Sequence, residues 1–306
     1  MQKDFTKGID SVNKKEDHPL ATIKDTLPDG RTLEDNFSYD SKDSYFGKEQ
    51  CDVVIGPHIF KGDFKNYRIH IEPENGLGAD IELHSLAQPY RPGSAYWAFL
   101  DKEENFYTWL CAVPKGKVSG TLTVDGKTQN ISGSGYHDHQ WGSNVYMTLW
   151  NNWVWARQAF DDYSMLVFDM VASKKYNYQR FPVIFIQDQN GEVIFEDTKD
   201  IQVEILNEYT DENSGKKYPG KFHYIFQNGT KTVDYTLTKD KILDNIVPAK
   251  DMPLPVRTMF KTMGLKPSYA RYQATGDLVL SEPGKEPVKR PGELIYEFMY
   301  PGVEYK

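Results

Sequence analysis

The chain of 306 residues is poor in cysteine, holding only Cys51 and Cys111. Two thiols so far apart in sequence cannot form a disulfide framework, and free buried thiols are expected. No apolar run approaches the roughly 20 residues that a bilayer helix needs. The opening stretch MQKDFTKGIDSVNKKEDHPL has no apolar core of the signal-peptide kind, so a cytosolic location is expected. Positive charge is in deficit, with 36 Lys and Arg against 44 Asp and Glu and a net charge of -8. A net acidic surface does not attract polyanions, which argues against nucleic acid or an anionic membrane as a partner and leaves at most peripheral membrane contact. A Walker loop, a GxGxxG turn after a strand, a GxSxG elbow and paired CxxC motifs are all missing, so nucleotide use and the common nucleophilic mechanisms lack support. No cofactor is implied.

What the chain does have is aromatic surface. Tyr, Phe and Trp make up 14% of the residues, more than a plain core requires, which suits a pocket for an extended apolar ligand. Up to about Phe37 the sequence is polar and aperiodic and predicts an arm with few regular elements. Beyond it, short β-rich runs separated by Gly, Pro and Asn/Asp turns dominate: 52–55, 67–72, 79–84, 96–100, 106–113 and 118–124 in the first half. In the second half, 153–160, 163–171, 181–187, 192–196, 201–206, 221–227, 231–237, 274–280 and 293–300 continue the pattern, with hairpin signals at Asp125-Gly126, Asn190-Gly191 and Asn228-Gly229. One short helix is expected over 256–263, ended by Gly264. The fold class is therefore all-β, and the length suggests two barrels or sandwiches, 1–146 and 147–306.

Chemistry concentrates in Gly135-Tyr136-His137-Asp138-His139-Gln140-Trp141-Gly142. As a strand, this segment points His137, His139 and Trp141 to one side and Tyr136, Asp138 and Gln140 to the other. The run VSGTLTVDGKTQNISGSGYHDHQWGS, with WVWARQAFDDYSMLVFDMV after it, resembles the carotenoid 1,2-hydratase family and its AttH-like and kievitone hydratase relatives. The resemblance is specific over 118–171 and dilute elsewhere, and Gln140 stands where the hydratases are expected to carry Asn. It implies two lipocalin-like domains with the motif at their seam, and a cofactor-independent hydratase or dehydratase acting on an isoprenoid, terpenoid or prenylated substrate. The same superfamily contains lipocalin-like pericyclases, so cyclisation is an alternative, as is non-catalytic binding of a lipid or isoprenoid.

Hydrating an unactivated alkene starts with proton transfer to carbon, which requires a strong, positioned acid. A carboxylic acid held protonated by apolar surroundings meets that need. Asp169, inside Met165-Leu166-Val167-Phe168-Asp169-Met170-Val171, is the first candidate and Asp138 its rival. A pairing with Arg157 across the hairpin would ionise Asp169 and remove it from that role. His139 is placed to handle the attacking water and Trp141 to face the developing cation, the same pair the resemblance implies; His137 stands beside them as a second imidazole or as a buried hydrogen-bonding group. Tyr107, Trp109, Tyr136, Trp155 and Arg157 are candidate pocket wall, and Glu297, in Leu294-Ile295-Tyr296-Glu297-Phe298, is a further buried carboxylate. His-x-His also suits a metal, with Asp169 or Glu297 as third ligand, but the other histidines are scattered and the indole is no ligand; no metal is expected.

Overall fold

The computed structural model describes residues 19–27, 29–94, 96–99, 105–142, 146–199, 201–250 and 252–303. Strand makes up 67% and helix 7%, the strands pairing antiparallel, so the all-β expectation holds. In chain order the first strands are β1 (Leu20–Thr26), β2 (Thr32–Ser38), β3 (Ser44–Phe46), β4 (Cys51–Ile55), β5 (His58–Gly62), β6 (Asn66–Ile71), β7 (Leu77–Ser85), β8 (Tyr96–Ala98), β9 (Phe106–Val124) and β10 (Lys127–Gly142). After them come β11 (Trp150–Ala159), β12 (Tyr163–Ala172), β13 (Arg180–Asp188), β14 (Val193–Asp197), β15 (Ile201–Leu206), β16 (Tyr209–Thr210), β17 (Lys217–Tyr218), β18 (Lys221–Asn228) and β19 (Lys231–Ile246). Helix α1 (Leu254–Thr262) then precedes β20 (Leu265–Ser281) and β21 (Val288–Gly302). Two compact units emerge, one from the described residues of 1–91 and 109–141, the other from those of 92–108 and 142–306.

The first unit holds the strand order β10-β9-β7-β6-β5-β4-β3; the short β8, which pairs with Phe106–Thr108 at the start of β9, belongs with those residues to the second unit. Residues 106–113 and 118–124, expected as separate runs, are one strand that runs on through Pro114 and Gly116. The turn into β10 uses Asp125 (φ 50°) and Gly126 (φ 73°), the two left-handed residues of a primed hairpin turn. The expected arm is partly regular: β1 and β2 form a hairpin in which Leu20 opposes Ser38. Its polar sequence hid the period of two, since only Phe37 of the fourteen strand residues is buried. Both cysteines are free thiols, Cys51 half-buried and Cys111 fully buried.

The second unit is a nearly closed nine-stranded sheet, β14-β13-β12-β11-β21-β20-β19-β18-β15. Side chains stitch the remaining gap, since Asn228 Nδ2 donates to the Glu196 carbonyl (2.7 Å) and Lys231 Nζ to the Ile194 carbonyl (3.0 Å). Alternation along each strand fills the interior with Val154, Ala156, Val167, Ile184 and Phe226, and with Tyr224, Tyr235, Tyr272 and Tyr296. Much of the aromatic excess is therefore barrel core. Tyrosine suits this place because its ring packs as hydrocarbon while its hydroxyl finds a partner: Tyr209 and Tyr272 share a hydrogen bond of 2.8 Å, and Tyr235 donates to Gln158 Oε1 at 2.9 Å.

Gln158 also donates to the carbonyls of Gly276 and Gly292 (3.0 and 2.8 Å), a fully buried polar node. A Cβ on Gly276 would sit 2.2 Å from Gln158 Oε1 and 2.5 Å from the Tyr235 hydroxyl, closer than any real contact. Gly276→Ala is expected to destabilise the protein by about 1–3 kcal/mol through overpacking, read as a lower denaturant midpoint at unchanged slope.

Candidate active site

Strand β10 carries the glycine-flanked motif, and its pleat sorts the side chains as a regular strand must. On one side, Tyr136 donates its hydroxyl to Asp138 Oδ2 (3.0 Å) and Trp109 donates its indole N–H to the same oxygen (2.9 Å). Two donors on one carboxylate oxygen fix Asp138 in place. Burial and the neighbouring Cys111 and Asp138 push the Tyr136 phenol well above its ordinary range, so it remains a donor. On the other side, His137 packs edge-on against Phe60 and Tyr67, each ring centroid 4.8 Å away. An imidazolium is poorly solvated there, and burial with the adjacent His139 lowers its pKa to about 4. His139 lies against Trp141 at 5.0 Å. Its ring keeps solvent-accessible surface, yet surrounding protein depresses its pKa with Asp138 opposing, so it is neutral and able to accept a proton at neutral pH.

Asp169 belongs to the second unit and points into the barrel on β12, sharing its face with Met165 and Val167. Only 2% of the residue is exposed. Its Oδ2 accepts from the Tyr224 hydroxyl (3.1 Å) and from the Arg180 guanidinium, while its Oδ1 is buried without a hydrogen-bond partner among the described residues. Burial raises the carboxyl pKa, and Arg180 and Tyr224 oppose that rise without cancelling it. The pairing with Arg157 that would have ionised Asp169 does not form, since Asp169 opposes Val154 and Pro182 whereas Arg157 opposes Leu166 on the outer face; the guanidinium beside Asp169 is that of Arg180. Arg180, one step along β13 across from Val171, projects to the same inner face as Asp169.

Glu297 is corrected as well. It is not buried but 31% exposed, on the outer face opposite Trp155, with Arg271 Nε at 3.8 Å. Trp155 and Arg157 share that outer face, half-buried. Tyr107 covers another part of it, packing against Trp150 and Phe168 at 5.5 and 6.4 Å. A bulge between Trp150 and Asn152 is what turns Trp150 outward, so that it meets Phe99 and Phe181 also.

The candidates thus fall into three groups: Tyr136, His137, Asp138, His139, Trp141 and Trp109 in the first unit, Asp169 inside the second, and Tyr107, Trp155, Arg157 and Glu297 on the second unit's outer face. Arg180 and Tyr224 are absent from the sequence-based set. A weak signal existed for each, a lone guanidinium opening the apolar run Phe181-Pro182-Val183-Ile184 and a phenol inside Phe222-His223-Tyr224-Ile225-Phe226. Among the described residues, no three His, Cys, Asp or Glu side chains converge as a metal site would require.

Solved structures of similar shape are remote in sequence. No curated protein matches the chain. An AttH-type protein of Nitrosomonas europaea superposes with a TM-score of 0.59 at 13% identity, covering 91% of this chain and 79% of that one. Kievitone hydratase of Nectria haematococca gives 0.53 at 15% identity over 92% and 84%, and CghA gives 0.64 at 12% identity over 94% and 81%. At these identities the likeness is one of fold. The AttH-like family model, however, matches residues 21–244, well over half of the sequence, and on that ground the chain belongs to the AttH-like family.

Proposed function

We propose that the protein is a cofactor-independent hydratase or dehydratase acting on a carbon–carbon double bond of an apolar substrate, isoprenoid or prenylated in character. The observation that carries this reading is Asp169: a carboxyl group enclosed by a barrel, raised in pKa, with one oxygen held by Tyr224 and Arg180 and the other unpartnered among the described residues. Such a group donates a proton to carbon where a solvated aspartate does not. In the first unit, His139, neutral and accessible beside Trp141, is a separate candidate for the handling of water. Asp138, tied by two donors, suits a positioning role. The fold shared with kievitone hydratase agrees with this chemistry.

A second reading draws on Arg180. A guanidinium that holds Asp169 ionised leaves fixed hydrogen-bond donors and no strong acid, which suits a pericyclic or cyclisation step in an apolar site. Turnover of acyclic terpenoid alkenes in heavy water separates the two. Deuterium at carbon in the product supports hydration; rearranged skeletons without label support cyclisation; binding without turnover removes both. Arg180 also tunes the acid. Because the carboxyl must be protonated to act, activity declines as pH rises through its pKa, and Arg180→Met is expected to move that alkaline limb upward.

A further inference from the structure

Helix α1 is an amphipathic element whose apolar side is only partly covered, Val256 and Phe260 being half-buried and Met259 and Met263 exposed. At 100° per residue, Val256, Met259, Phe260 and Met263 fall on one side and Arg257, Thr258, Lys261 and Thr262 on the other. No residue of the helix is buried. Met259 is 50% exposed, Met263 41%, and Leu254, at the start of the helix, 68%. The strand leading toward it adds Ile242, Leu243 and Ile246, each exposed. Among the described residues, six of the fifteen exposed large apolar side chains thus lie between 242 and 263. A helix of nine residues is marginal by propensity alone, so an apolar side in water is costly to leave bare.

Charge identifies what would cover it. Residues 242–266 contain Lys250, Arg257, Lys261 and Lys266 against Asp244 and Asp251, a local excess of two positive charges in a chain of net -8. Lys250 bonds to Asn213, while Arg257 and Lys261 have no ion-pair partner among the described residues. At physiological ionic strength charges are screened beyond about 8 Å, so a surface meeting this element responds to the local excess and not to the net charge. The area argues against a second copy of the chain. A helix of this length is about 14 Å long and 10 Å across, a few hundred Å² of footprint, below the roughly 800 Å² per partner of a stable protein interface. Apolar side chains flanked by cations on a short helix are instead the composition of an interfacial anchor.

We propose that α1, with the apolar end of β19, docks the protein on anionic phospholipid surfaces. This stands independently of the proposed reaction. The full chain is mixed with vesicles of phosphatidylcholine alone and of phosphatidylcholine with phosphatidylserine, and bound protein is measured by co-sedimentation. Binding to the phosphatidylserine vesicles at least about tenfold stronger, and reduced severalfold by raised salt, is expected. The double variants Met259→Ser/Met263→Ser and Arg257→Glu/Lys261→Glu should each lose most of that binding, while turnover of a soluble short-chain alkene is retained. Equal or absent binding to both vesicle types overturns the proposal, as does sedimentation showing a dimer that Met259→Ser/Met263→Ser dissociates, which would make a second copy the occupant.

Discussion

Asp169→Asn is expected to lower turnover of a terpenoid alkene by about 10²–10⁴-fold, the range that a positioned general acid supplies. The carboxamide is nearly isosteric and its carbonyl can still accept from Tyr224 and Arg180, so the contacts of Oδ2 survive while the transferable proton does not. Thermal unfolding should consequently shift far less than activity, and ligand retention should be unaffected. Full activity in Asp169→Asn would remove the acid role outright. Equal loss of activity and of ligand binding would instead mark Asp169 as a structural anchor of the barrel. Asp169→Ala is the less informative change, because it removes the acceptor of the buried Tyr224 hydroxyl and of Arg180 as well as the proton, and would confound chemistry with folding.

The second large effect concerns stability in acid. His137 titrates near 6.5 in an unfolded chain and at about 4 in the folded protein. Between these values the unfolded state binds more protons, so stability is fully present above pH 6.5 and is lost as pH falls toward 4. The shift corresponds to about 3 kcal/mol, or nearer 2 allowing for partial solvent contact of the ring. His137→Phe, which keeps an aromatic ring against Phe60 and Tyr67, should flatten this limb. The measurement is the difference in unfolding free energy between the two proteins at pH 7 and pH 4.5. A constant difference across that interval would show that His137 does not carry the acid sensitivity. Asp169 works in the opposite sense: its raised pKa makes stability fall as pH rises above its unfolded value of 3.8.

The membership in the AttH-like family and the Asp169 cluster bear on different questions. Family membership fixes the architecture that holds the residues; the chemistry rests on what those residues touch. Kievitone hydratase and CghA share this fold at 15% and 12% identity, a likeness of architecture alone.

Strand identity was legible because the period of two is local. Ile201–Leu206 was read at its full extent, and the β11–β12 hairpin turned at Asp161-Asp162 as its residues required. The same locality sorted Tyr136 and Asp138 from His137 across the pleat of β10, and placed the short helix before Gly264. What stayed hidden depends on register and closure. Whether Arg157 or Arg180 meets Asp169 is decided by a shift of one residue, which exchanges the inside of a barrel for its outside. Tyr224 reaches the same carboxylate from β18, separated from β12 by 55 residues, because the sheet curls until its ends nearly meet. Glu297 sits in an apolar run that promised burial, yet in a strand such a run supplies two faces, and only the packed sheet shows which one each residue occupies. The order of side chains along each strand is written in the sequence; which of them share an interior is set by long-range hydrogen bonding between strands, and no local pattern encodes that.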